Sequence, residues 1–338
     1  MPTEPVKKQE QLESENAEPV APETGEAVAE IIEPQEENPV EVEDQIEQLK
    51  KDLEKPSEVP ETPQVISPEE RQKKIQEYRD KYLPDYLKKK QGMLFRAISA
   101  ILPRILGIKT EGKEKTPPKG PCLVVCNHFG GGDVEAIMQN FRDKDVHFAL
   151  AKGIWWDRNP ILRWGFKKMG MIPVNESLAH LSPEEKKAAR DRQVEQQAKD
   201  VFTKIIEREE RGELLVDKDF IRQSVAVLLK GDAVAVFPEG AWLNPQGFGT
   251  NAREEAKMKQ GYEGIELITR EYKRVTGEEL PIIPTALDEN MKTGEKKFTI
   301  GDAVFADKND EVSLTQRAMV QVARMLPEEK RGYYKDKV

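Results

Sequence analysis

The scarcities of this chain narrow its reading first. Its 338 residues include 2 cysteines and 3 histidines. Cys122 and Cys126 cannot build a disulfide framework, and their spacing suits neither a zinc site nor a Cys-x-x-Cys redox pair. Their even separation on one candidate strand points both thiols the same way, as reduced core thiols. No apolar core follows the start, so no secretory signal is read there, and a reducing, cytoplasmic compartment is expected. No repeat or collagen-like bias is present. The first 66 residues hold no aromatic residue at all. No apolar run reaches the ~20 residues of a spanning helix.

Charge is uneven. The net charge is −9, but residues 1–70 carry 5 Lys/Arg against 21 Asp/Glu, whereas residues 71–119 carry 14 against 5. An acidic tail and a basic collar thus precede a nearly neutral body. Residues 1–66 cannot bury enough apolar surface to offset their ordering entropy, so they are expected to be a disordered acidic tail. Within them Val42, Ile46, Leu49 and Leu53 make a short helical stripe. It reads either as a partner-docking helix or as a transient helix in solvent.

At Ser67-Pro68-Glu69-Glu70 a helix signal begins: a cap, a proline at the first position and early acids. Tyr78, Tyr82 and Tyr86 recur every four residues beside Leu83 and Leu87. An apolar stretch from Met93 to Ile108 follows Lys88-Lys89-Lys90 and contains Arg96, Pro103 and Arg104. Residues 67–110 therefore read as an amphipathic helical pair. They either anchor the chain on a membrane surface or cover the domain that follows.

Residues 111–338 alternate strand-like and helix-like segments. The expected strands are the run ending at Cys126, then Asp145–Ala151, Met171–Asn175, Ala233–Phe237, the short Ile282-Ile283 and Phe298–Ile300. Expected helices are Val134–Phe141, Pro160–Lys168, Phe220–Leu229 and Tyr262 to about Val275. Such alternation implies an α/β fold in one domain, a β-sheet with helices on its faces. Residues 178–212 are charged and helical, read either as a lid or partner surface or as a solvent-exposed excursion. Residues 241–260 read as a long polar loop.

The chemistry gathers where Val124-Val125-Cys126-Asn127-His128-Phe129-Gly130-Gly131-Gly132-Asp133 runs off a strand. A histidine at a strand end, glycines that leave room beside it, and a carboxylate at a helix start make a general base and its orienting partner. Three further blocks follow in order: Gly170-Met171-Ile172-Pro173-Val174, Phe237-Pro238-Glu239-Gly240 and Pro281-Ile282-Ile283-Pro284. Asn127-His128 and Asp133 together with these blocks resemble the glycerolipid acyltransferase family, the 1-acylglycerol-3-phosphate acyltransferases, over roughly residues 92–305.

That resemblance implies a mixed sheet flanked by helices and an O-acyltransferase. It would move a fatty acyl group from acyl-CoA or acyl carrier protein to a lysophospholipid hydroxyl, 1-acyl-sn-glycerol-3-phosphate first. His128 would be the base and Asp133 its partner, with no metal and no cofactor beyond the co-substrate. Glu239 and Gly240 would help form the acceptor pocket, with Lys152, Asn175 and Trp242 as further acceptor-binding candidates. The enzyme would sit peripherally on the inner face of a membrane, and no nucleic-acid partner is expected. Two departures bear on the acceptor. Members with phosphate-bearing acceptors place Arg where Glu176 and Trp242 stand here, so an acceptor without a phosphomonoester is the second reading. A non-catalytic membrane scaffold and thioester hydrolysis are the remaining alternatives. Trp155, Trp156, Trp164 and Trp242 suit a membrane–water boundary; for Trp155 and Trp164 core packing fits equally.

Overall fold

The computed structural model of the chain describes residues 67–91, 101, 105–117, 119–128, 132–152, 159–175, 217–239, 257–258, 261, 264–290, 292–307 and 312–338. These belong to one unit, residues 65–338. The acidic tail, the stripe from Val42 to Leu53, most of the stretch after Met93, the charged segment 178–212 and nearly all of the 241–260 loop lie outside the described residues. So do Gly240, Glu176, Trp242, Trp155 and Trp156.

Seven strands form one sheet: β1 (Ile108–Glu111), β2 (Cys122–Cys126), β3 (Val146–Ala151), β4 (Ile172–Val174), β5 (Ala233–Val236), β6 (Ile282–Asn290) and β7 (Glu295–Ile300). Their order is β1-β7-β6-β2-β5-β3-β4. The five strands from β6 to β4 run parallel to one another. At the other end β7 returns antiparallel to β6 and β1 follows β7 in parallel. The sheet is therefore mixed, as the resemblance implied.

Strand β2 is buried along its whole length, CLVVC, because both faces of the sheet are covered. Leu123 and Val125 face a core shared with Val234, Val236 and Ile282. Over that core lie α1 (Pro68–Tyr82), α5 (Lys218–Leu229), α6 (Gly264–Thr276) and α7 (Leu314–Arg324). Cys122, Val124 and Cys126 face the opposite core, against Ala136, Ile137 and Met138 of α3 (Asp133–Asn140). The period of two along a strand sends alternate residues to opposite faces, and both cysteines share one face as expected. They are free and buried. Burial pushes the Cys122 thiol up to about 11, against the lowering pull of Lys144, and pushes Cys126 up as well. Neither is available as a thiolate nucleophile near neutrality.

The first helix starts where the cap signal put it: Ser67 Oγ accepts from the Glu70 backbone N–H at 3.1 Å. Its tyrosine stripe does not continue as one helix. Pro84 forces Leu83 into an extended conformation (φ −89°, ψ 106°), since the residue before proline is driven out of the helical region. A separate turn, α2 (Asp85–Lys88), follows. Tyr78, Leu83 and Leu87 are buried in the first core. At about 1.5–3 kcal/mol for each fully buried large apolar side chain, this segment is held firmly on the domain and acts as a cover. Ile108, expected in the apolar helical stretch, instead opens β1, so the expected boundary between residues 110 and 111 falls inside a strand.

Strand β6 runs well beyond the two residues expected. Pro284, just past the expected Ile282-Ile283, lies inside it. It sits just before the antiparallel pairing with β7 begins at Thr285↔Ile300, where its carbonyl accepts from the Gly301 N–H at 2.8 Å. A proline is tolerated where no ladder donor is required.

Candidate active site

Parallel neighbours in register deliver their ends to one level. Val125 of β2 pairs with Val236 of β5, so His128 and Glu239 each stand three residues past a paired position. Phe148 of β3 pairs with Ala235, which carries Lys152 to the same row. Ala149 of β3 pairs with Ile172 of β4, which adds Asn175. Four expected site residues thus occupy one row at the carboxyl ends of adjacent parallel strands, where ligands bind in open α/β sheets. At about 4.8 Å between strands, Lys152 lies roughly two strand spacings from His128 and Asn175 three.

His128 and Asp133 meet. Nδ1 of His128 lies 2.6 Å from Oδ2 of Asp133. Asp133 is the first residue of α3, and its other oxygen accepts from the Val134 N–H at 2.8 Å. The preceding residue, Gly132, has φ 113°, a conformation that glycine adopts without the penalty a Cβ would bring. That turn folds the carboxylate back towards the strand end. A carboxylate only accepts, so Nδ1 carries the proton and Nε2 is left as the nitrogen able to take one. Asp133 is buried, while the His128 side chain keeps 27% of its surface.

Glu239 closes the site from β5: its Oε1 accepts from the His128 backbone N–H at 3.2 Å. Phe237 stacks on the imidazole with centroids 4.3 Å apart and planes at 25°. Burial works against an imidazolium at His128. The Asp133 hydrogen bond, the Asp133 charge and the Glu239 charge outweigh it, so the pKa stands above its ordinary value.

Asn127 shows a role that its place in the motif did not reveal. Its Nδ2 donates to the Leu287 carbonyl at 3.0 Å and its Oδ1 accepts from the Leu287 N–H at 2.9 Å. This fully buried amide substitutes for a strand's pairing groups and ties the base of the histidine loop to β6. Asp217 was also missed. It caps α5 through the Phe220 N–H (2.9 Å) and takes the Asn175 N–H (2.8 Å), fixing the backbone at the end of the row. A Ser/Thr/Asp/Asn residue ahead of an apolar helix was the signal that could have marked the cap; nothing local marked the second bond.

A second His–Asp pair exists, and it differs in kind. His147 is fully buried, with Nδ1 2.8 Å from the Gly170 carbonyl and Nε2 3.1 Å from Oδ2 of Asp232. Both ring nitrogens are engaged by protein acceptors, so neither is open to a substrate. Gly170, with φ 70°, leaves no room for a Cβ: one would lie 2.8 Å from Nδ1. Its block therefore supports a packed histidine. Trp164, for which core packing was one reading, is 63% exposed. Among the described residues no group of three or more His, Cys, Asp or Glu side chains is placed to hold a metal ion, and no helix is long and apolar enough to cross a membrane.

A family model described as Acyltransferase matches residues 107–288, more than half of the chain. This span holds His128, Asp133, Lys152, Asn175 and Glu239, strand β5 and most of β6, the two neighbours of β2. Among solved structures, the crystal structure of the 1-acyl-sn-glycerophosphate (LPA) acyltransferase PlsC from Thermotoga maritima is similar at a TM-score of 0.42, with 13% sequence identity over 69% of this chain and 76% of that one. No curated protein matches.

Proposed function

We propose, on the premise that the chain belongs to the acyltransferase family and is an O-acyltransferase, that it transfers a fatty acyl group from a thioester donor to the free hydroxyl of a lysophospholipid, with His128 as general base. The observation that carries this is the 2.6 Å contact between His128 Nδ1 and Asp133 Oδ2, at a strand end where the ring keeps its second nitrogen for a proton.

An acyl thioester, on coenzyme A or acyl carrier protein, is already activated. An alcohol near neutral pH is not, because it holds its proton. Nε2 of His128 takes that proton as the hydroxyl oxygen bonds to the thioester carbonyl carbon. Asp133 holds the tautomer and stabilises the imidazolium so formed, the part a carboxylate plays beside a hydrolase histidine. When the tetrahedral intermediate collapses, the C–S bond breaks and the imidazolium returns its proton to the leaving thiolate. The side-chain catalyst is thus unchanged over one turnover. Glu239, Gly240, Lys152, Asn175 and Trp242 are assigned to the acceptor side, and the row along β2, β5, β3 and β4 supports placing three of them there.

The first acceptor is 1-acyl-sn-glycerol-3-phosphate. A lysophospholipid or glycolipid hydroxyl without a phosphomonoester is the second, favoured by Glu176 and Trp242 at positions where an arginine fork would grip phosphate. The enzyme would work at a membrane surface, where such acceptors reside. The test is transfer of labelled acyl groups from acyl-CoA and from acyl carrier protein to a panel of lyso-acceptors, with wild type beside His128→Ala. Transfer by wild type and its loss in the variant are expected. Identical behaviour of the two on every donor and acceptor would refute the assignment.

A further inference from the structure

Unlike the other α-helices given above, the described helix α4 (Pro160–Lys168) buries none of its residues. Asn159 caps it, accepting from the Ile161 N–H at 2.7 Å and the Leu162 N–H at 3.4 Å, and Pro160 occupies its first position, so its start is well specified. Phe166 packs against the second core. The opposite side presents Ile161 and Trp164 at 76% and 63% exposure, while Leu162, one turn before Phe166 and on its side of the helix, keeps 42%. With Lys168, Ile161 and Trp164 follow the i, i+3, i+7 line of a single helix face.

The charges that the helix itself carries have one sign. The helix contains Arg163, Lys167 and Lys168 and no acidic residue. Lys168 Nζ lies 5.6 Å from the Trp164 ring centroid, and Lys167 Nζ 5.8 Å from that of Tyr86. Tyr86, whose hydroxyl donates to the Met171 carbonyl at 3.3 Å, joins α4 to α2. There Lys88 is paired with Asp85 at 2.9 Å, and Lys89 and Lys90 are exposed beyond it.

We propose that the outer face of α4 docks the catalytic domain on an anionic lipid bilayer, with Ile161 and Trp164 entering the interface and Lys167 and Lys168 meeting lipid phosphates. An exposed apolar stripe ended by tryptophan and ringed by cations is the pattern of a helix lying in a headgroup layer. A second copy of the chain fits poorly, because a two-fold contact would set this positive face against itself. A folded protein partner would need about 800 Å² from each side, more than nine residues of helix offer. The proposal is separate from the membrane role expected of residues 67–110, and it holds whichever acceptor the site takes.

The test uses the full-length protein with vesicles of phosphatidylcholine alone and of phosphatidylcholine with phosphatidylglycerol. Both compositions are also made with brominated acyl chains to quench tryptophan. Binding to the anionic vesicles that falls with salt is expected. Lys167→Gln and Lys168→Gln should each weaken it about five-fold, the effect of one cation near such a surface. Ile161→Ser should weaken it at least about ten-fold, since several buried methylenes are lost. Trp164→Phe should reduce the bromine quenching. Because these side chains are exposed, melting curves should match wild type, and transfer to a detergent-dispersed acceptor should be unchanged. Unchanged vesicle binding and quenching in all variants would overturn the proposal. So would a concentration-dependent dimer, without vesicles, that Ile161→Ser abolishes. Loss of transfer to the dispersed acceptor in wild type would instead count against the proposed function, leaving the docking result to stand alone.

Discussion

Replacing Asp133 by Asn tests the reasoning about the base most sharply, because size and shape are kept while one proton is moved. Oδ1 of Asp133 takes the Val134 N–H at 2.8 Å and Oδ2 takes the His128 Nδ1–H at 2.6 Å. An amide has one acceptor and one donor end. If its NH₂ faced Val134, two donors would meet and a buried N–H would be left unsatisfied, at about 1–3 kcal/mol. The oxygen therefore stays with Val134 and the NH₂ turns to Nδ1. Nδ1 must then accept, the ring proton moves to Nε2, and the nitrogen that should receive the hydroxyl proton already holds one. A wrong tautomer of this kind costs about 10³–10⁴-fold in kcat, or about 4–5.5 kcal/mol of barrier.

The pH profile adds an independent reading. In wild type the rate should rise with pH through a midpoint above the ordinary histidine value of about 6.5, because Asp133 and Glu239 outweigh burial and hold the His128 pKa up. In D133N that midpoint should move down, as the main raising influence is gone. The same raised pKa contributes stability that is complete below the unfolded value and lost as pH rises through the folded one. The stability deficit of D133N should therefore be larger at about pH 5 than at about pH 9. The assay is acyl transfer at saturating donor and acceptor, beside thermal melting across pH. Retention of activity within about tenfold, or a midpoint moved upward, would refute the tautomer argument.

Other expectations follow from the same geometry. Glu239→Gln can keep the bond to the His128 N–H through its amide oxygen while losing the charge. It should leave melting nearly unchanged and shift the pH–rate midpoint down, by less than D133N; an unmoved midpoint would show that Glu239 does not act on the imidazole electrostatically. Asn127→Leu removes both bonds to Leu287 and strands a buried N–H and C=O. A loss of about 2–4 kcal/mol in chemical denaturation, with activity falling further than the folded fraction, is expected. Gly170→Ala sets a Cβ against His147 at a positive φ and should cost about 1–2 kcal/mol or more, while His128 keeps its pH profile.

The central site was legible because its signals are local. The apolar run before His128, the capping residue ahead of Pro68 and the Ala233–Phe237 strand each carry their evidence within a few residues. Edge strand β1 was not legible. Its four residues alternate with Lys109 and Glu111 exposed, and its pairing partner lies at residues 296–299, so the apolar residues before it read as a continuing helix. The length of β6 was hidden by Pro284, whose tolerance depends on where β7 stops pairing. Helix α7 drew no notice although its buried Ala318, Met319 and Val322 are spaced for it. The His147–Asp232 pair had no sequence signal, because burial and the engagement of both nitrogens exist only once neighbouring strands are paired.

The shared level of His128 and Glu239 has a consequence for how the enzyme comes into being. These residues are separated by 111 positions in the chain, and what aligns them is a parallel pairing that no hairpin can supply. Parallel strands need a crossover between them, and contacts so distant form slowly because loop-closure entropy is met before they bring any gain. During refolding, helical signal should therefore return before acyl transfer does. Activity in this chain reports that β5 has found its register beside β2; a slip of one residue would carry Glu239 about 3.3 Å along the strand and leave a folded-looking molecule whose histidine has lost the carboxylate at its backbone N–H.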